Sequence, residues 1–144
     1  MGVWGTAMVA LAAGAAIAVQ SSLSGIVGTR IGVLGSSLVI HAAGLAFAIG
    51  LAALWPSAAT LTWKSIPWLA LPAGLVGVGI VAAVSYAVPR LGLGTTLTLT
   101  IAAQLALGAA LDHLGWLGAP HHPLSVGRAI GYAAIVVGTW LVVR

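Results

Sequence analysis

Asp112 is the only acidic side chain among 144 residues, and His113 follows it directly. Ahead of it Thr96, Thr100, Gln104 and Gly108 recur at every fourth position. On a helix each step of four turns about 400°, so neighbours in the row touch while the row drifts by roughly 40° per step. Such a row offers hydroxyls and an amide to a polar solute, with a carboxylate at one end. Two chemistries are open to that carboxylate. It can take a cation or proton as a coupling or entry residue, or it can anchor a helix end by binding Arg128 or the next helix N-terminus.

Other polar residues share this helical spacing. In VQSSLSG, Gln20 and Ser24 are four apart, and in GSSLVIHAAG, Ser37, His41 and Gly44 follow steps of four and three. Histidine is the side-chain type that titrates nearest neutrality, so His41 can carry a proton or sit neutral within a bundle. Gln20, Ser24, His41, Thr100 and Gln104 form the candidate substrate-binding set, with interhelical hydrogen bonding as the other use of the same groups. Tyr86 reads as an anchor at the membrane interface. Gly127, Gly131 and Gly138, with Ala134, make a small-residue stripe that lets another helix approach closely, which marks them for helix packing. His121 and His122 are adjacent in GAPHHPLS, so their side chains diverge; Ser125 can cap the helix that follows. No metal site and no cofactor is expected. The nucleophile, paired-carboxylate, zinc-helix and phosphate-loop motifs are all absent, which argues against an enzyme.

The elements that must position these residues follow from composition. The chain is 61% hydrophobic and 4% charged, with mean hydropathy +1.18. Average soluble domains are about 25% charged, so the bilayer is the expected solvent. Five apolar runs, about 4–26, 33–55, 66–88, 93–111 and 125–143, each approach the roughly 20 residues a spanning helix needs. They are continuous rather than alternating, which favours helices over strands. The expectation is an all-α integral membrane protein: one domain, 1–144, of five transmembrane helices. The first run also has an Ala-Ile-Ala that resembles a signal-peptide cleavage site, but no Lys or Arg precedes it, so a retained helix is preferred. The basic residues stand singly, so nucleic acid is not an expected partner.

Over nearly its whole length the chain resembles the small five-helix, YdcZ-type, EamA-like members of the drug/metabolite transporter superfamily. The resemblance rests on VQSSLSG, PRLGLGTTLTL, AQLALGAALDHLGWLG and HPLSVGRAIGYAAIVVGTWLV. Its most specific string is Asp112, His113, Leu114, Gly115, Trp116 and Gly118. The family pattern has Asn where Ser24 stands and Gly where Ala103 stands. The resemblance implies a multi-pass protein of the bacterial inner membrane that supplies half of a ten-helix transporter fold, completed by an antiparallel homodimer. The function it implies is secondary-active transport of a small metabolite or drug-like solute through a cavity between the copies. A non-transporting structural or regulatory subunit and a channel are the competing readings. The partners expected are the solute, the lipid bilayer and a second copy.

The charge distribution agrees with antiparallel pairing. Five spans would put Lys64 and Arg128 on one side and Arg30, Arg90 and Arg144 on the other. The positive-inside rule needs an excess on one side, and here it nearly cancels. Trp4, Trp55, Trp63, Trp68 and Trp116 fall towards one face and Trp140 towards the other, so paired antiparallel copies would give both faces a belt. Reporter fusions after Arg144 should therefore show both cytoplasmic and external populations. A single orientation in more than about nine in ten molecules would refute dual insertion.

Overall fold

The computed structural model describes residues 2–56, 66–67, 70, 72–118 and 121–144; Trp63, Lys64, Trp68 and Pro120 lie outside the described residues. Among the described residues stand four long helices: α1 (Val3–Leu54), α2 (Ala73–Leu91), α3 (Leu93–Leu114) and α4 (Val126–Val143). All four are long and apolar enough to cross a membrane.

Two of the five expected runs lie within α1. Its 52 residues would extend about 78 Å if straight, more than twice the hydrocarbon core of a bilayer. It is not straight. Gly32 sits at φ 80°, ψ 162°, a region open only to glycine, and breaks the helix into two arms. Across the break the Ser36 hydroxyl donates to the Ser24 carbonyl at 3.0 Å. On an unbroken helix residues twelve apart would be about 18 Å apart, so the arms fold back on each other. The several-residue connector expected after position 26 is thus a single glycine.

A glycine at positive φ recurs sixty residues on. Gly92, between α2 and α3, has φ 81°, ψ 157°. Arg30-Ile31-Gly32-Val33 and Arg90-Leu91-Gly92-Leu93 share one pattern: a cation two residues before the turn and a branched apolar residue on each side of it.

The third run starts later than expected. Helix α2 begins at Ala73 rather than 66 and ends at Leu91 rather than 88. Pro67 and Pro72 are the physical reason: proline cannot donate within a helix and suits its first turn. The Pro72 carbonyl accepts the amides of Leu75 (2.9 Å) and Val76 (3.2 Å), which starts the helix there. The fourth run continues to Leu114, beyond its expected end at 111, and closes on Gly115 in the left-handed conformation (φ 64°).

The chain forms two compact units, Met1–Arg90 and Leu91–Arg144. In the first, the two arms of α1 pack with α2 through small residues. Ser21, Ser24, Gly25, Ser36, Ser37 and Ser85 are buried, while no large apolar side chain is buried among the described residues. A Cβ added at Gly25 would lie 2.7 Å from Val88 Cγ1, and one at Gly28 would lie 2.8 Å from Ser85 Cβ and 3.0 Å from its carbonyl oxygen. These two glycines set how closely α2 approaches. In the second unit α3 packs on α4, and the short 3₁₀ turn Trp116–Gly118 begins the link between them.

Gly28→Ala should cost about 1–3 kcal/mol, the usual range for overpacking against backbone. Gly14, whose added Cβ would meet nothing within 4 Å, is the control. Its alanine variant should be neutral or slightly more stable, since alanine is the better helix former. Equal unfolding midpoints in detergent for the two variants would contradict this packing.

Candidate functional site

The polar groups of the first unit form a chain of hydroxyls between helices. The Ser85 hydroxyl lies 2.9 Å from Ser36 Oγ and 2.7 Å from the Val81 carbonyl, so its one hydrogen serves two acceptors. Ser36 passes its own hydrogen to the Ser24 carbonyl. One position on, Ser37 Oγ donates to the Val78 carbonyl at 3.0 Å and so ties the second arm of α1 to α2. His41 continues this face. Its Nδ1 lies 2.8 Å from the Ser37 carbonyl, which can only accept, so Nδ1 carries a hydrogen. In the neutral ring Nε2 is then the acceptor, and it lies 3.2 Å from where a Cβ on Gly77 would be. The absence of that Cβ makes room for the imidazole beside α2.

In the second unit three of the four threonines of α3 satisfy themselves. Thr96, Thr98 and Thr100 each donate to the carbonyl four residues earlier, at 2.8, 2.8 and 2.7 Å. Their hydrogens are spent, so towards a solute these oxygens only accept. Gln104 differs: it lies midway along α3 and is exposed on the surface of the chain.

At the far end of α3 a clasp holds the turn into α4. Arg128 Nη2 donates to Asp112 Oδ2 at 3.0 Å and to the Tyr132 hydroxyl at 3.2 Å, while Nη1 donates to the His122 carbonyl at 3.2 Å. The His122 amide returns to the Asp112 carbonyl at 2.9 Å, and the Leu124 amide reaches His113 Nδ1 at 3.3 Å. Ser125 caps α4 by accepting the Arg128 amide at 3.3 Å. The single carboxylate therefore has a cation on it already.

The candidate residues separate as follows. Gln20, Ser24 and His41 lie in the first unit, and Thr100, Gln104 and Asp112 in the second. Ser24, expected at a substrate surface, is 1% exposed, and its hydroxyl donates to the Gln20 carbonyl at 2.8 Å. The two arms of α1 close over it. Gln20 is exposed and His41 and Thr100 are half-buried. Gly127, Gly131 and Gly138 have nothing within 4 Å of an added Cβ, so the small stripe of α4 packs on no described residue of its own chain at those positions. Ser85, Gly25 and Gly28 were not singled out from sequence. A lone serine in an apolar helix, and glycines three apart ahead of the turn, were the available signals.

These features define a multi-pass helical protein of the membrane, with polar groups carried on its helices. Residues 5–141 match the family described as "Putative inner membrane exporter, YdcZ", and the chain belongs to that family. It is accordingly an integral protein of the inner membrane. No curated protein and no solved structure matches it.

Asp112→Asn and Arg128→Gln each break the clasp and should lower the unfolding temperature by a few degrees, the pair being part-exposed and hence modest in strength. The double variant should be little worse than the weaker single variant. Fully additive losses in a thermal unfolding series would show that the two side chains act separately.

Proposed function

We propose that this protein exports a small, polar but uncharged or zwitterionic solute as a secondary-active transporter. The working unit is an antiparallel homodimer of five-span chains, in which the two arms of α1 each cross the bilayer. The solute sits near the midplane between the copies, the usual place in transporters built from inverted repeats.

The observation that carries this reading is Gln104. A primary amide midway along a membrane-spanning helix, exposed on its own chain, would face hydrocarbon if the chain stood alone. Leaving such a group without hydrogen bonds in an apolar medium costs roughly 2–7 kcal/mol. Contact with a second copy and a solute-filled cavity removes that cost. Gln20 is exposed on the first arm of α1 in the same way. Gln20, His41, Thr100 and Gln104 then line the solute site, with Thr100 restricted to accepting. Ser24 shapes it from behind by holding the arms together. Asp112 anchors the α3 end, and the open glycine stripe on α4 meets the second copy. The family's description as an exporter supports the direction of transport.

Gln104→Leu should abolish solute efflux from reconstituted vesicles while leaving expression and dimer formation intact. A cysteine at the same position should react with a small, charged, membrane-impermeant thiol reagent. Wild-type efflux by Gln104→Leu would remove the basis of this reading, and an unreactive cysteine would favour a purely structural subunit.

A further inference from the structure

The turn at Gly32 stands beside a cavity of about 350 Å³ whose walls include Thr29, Gly32, Tyr86 and Arg90. It adjoins a second, smaller and shallower hollow of about 200 Å³ lined by Ser22, Gly25, Ile26 and Val88, and the two share Thr29 and Pro89. The first hollow is polar and cationic. The second is largely apolar and runs back along α1: Ser22 precedes Gly32 by ten residues, about 15 Å of helix. A turn between two spanning arms belongs at the membrane surface, so the pair forms one slot, cationic at the surface and oily towards the core.

The Arg90 guanidinium is held in place at the cationic end. It donates to the Tyr86 carbonyl at 2.7 Å and stacks 3.6 Å from the Tyr86 ring centroid. One of its five N–H groups is used there, which leaves a fork free for an oxyanion. The hydroxyls of Ser85 and Thr29 donate elsewhere, to Val81 and Ser36 and to Ile26 respectively, so recognition falls to Arg90. The chain has one carboxylate side chain, and Arg128 holds it. Among the described residues no carboxylate pairs with Arg90, so an anionic group of another molecule can supply its counter-charge.

We propose that this slot binds an anionic phospholipid, with its phosphate on Arg90 and one acyl chain along Ile26 and Val88. The apolar extension at this depth favours a lipid over a free phosphate ion. The proposal rests on the two arms of α1 each crossing the bilayer, and not on solute transport.

The test is native mass spectrometry of the full chain in detergent, titrated with phosphatidylglycerol, diacylglycerol or inorganic phosphate. Phosphatidylglycerol should be retained, and Arg90→Gln should weaken it about tenfold or more, as expected for losing charged hydrogen bonds to a phosphate. Arg30→Gln is the control for general surface charge: Arg30 is exposed two residues before the same turn and does not line the slot. It should change retention less than about twofold, below the range for a lost charged hydrogen bond. Thr29→Trp fills the wall shared by both hollows while leaving Arg90 intact. It should also release the lipid, and it carries the test if Arg90→Gln does not fold. Equal retention of diacylglycerol, or unchanged retention in both Arg90→Gln and Thr29→Trp, would overturn the proposal. Inorganic phosphate binding without phosphatidylglycerol would overturn the lipid as occupant.

Discussion

Hydroxyl-to-carbonyl bonding between closely approaching helices is the interaction on which the first unit depends. In a bilayer, apolar side chains gain little by leaving lipid for protein, because both surroundings are oily. What remains is close backbone packing and interhelical hydrogen bonds of roughly 0.6–2 kcal/mol each. The buried residues fit that account: they are serines and a glycine, with no large apolar side chain among them. The hairpin at Gly32 is a precondition, since only a reversal brings the Ser36 hydroxyl to the Ser24 carbonyl. Glycines at 25 and 28 are a second precondition, since a Cβ at either would collide with α2.

The same constraint sorts the outward-facing residues. Leu34, Leu38 and Phe47 are 70% exposed or more, which would be costly in water and costs nothing against acyl chains. Thr98 is compatible with lipid too, because its hydrogen is already spent on its own helix. Glutamine is different. Its amide carries two donors and an acceptor; a ladder carbonyl has a spare lone pair for one donor, as for Thr98, but the helix amides are spent and leave the Gln oxygen no donor. A mid-span Gln therefore requires something beyond its own helix, which sets Gln20 and Gln104 apart from the hydroxyl residues of the same stripes.

Much of the helical layout was legible in hydropathy alone, because runs of about 20 apolar residues have few other uses. The errors were at the joints. A connector was assumed to need several residues, whereas one glycine at positive φ suffices, and the repeated Arg-apolar-Gly-apolar string at 30–33 and 90–93 was the overlooked signal. The start of α2 was set too early because Pro67 and Pro72 count as neutral in a hydropathy scan yet dictate backbone geometry. For the site, spacing located the polar stripes but not what they face. Ser24 and Gln20 are four apart on one stripe, yet Ser24 is closed between helices and Gln20 is exposed. Which neighbour covers a stripe depends on packing distance, and periodicity carries no information on that.

Asp112 illustrates how the structure narrows chemistry that spacing left open. The carboxylate could have been a free cation site or a helix anchor. With Arg128 at 3.0 Å and the loop amide of His122 on its own carbonyl, it closes the turn between α3 and α4. A transported cation would have to displace a guanidinium that is also bound to Tyr132 and to the His122 carbonyl, and opening that clasp would loosen the start of α4 as well. A latch suits this arrangement better than a carrier. Under the proposed transport function, the groups along the spans that would meet a solute are neutral amides and hydroxyls together with His41, and such groups select by hydrogen-bond geometry rather than by charge.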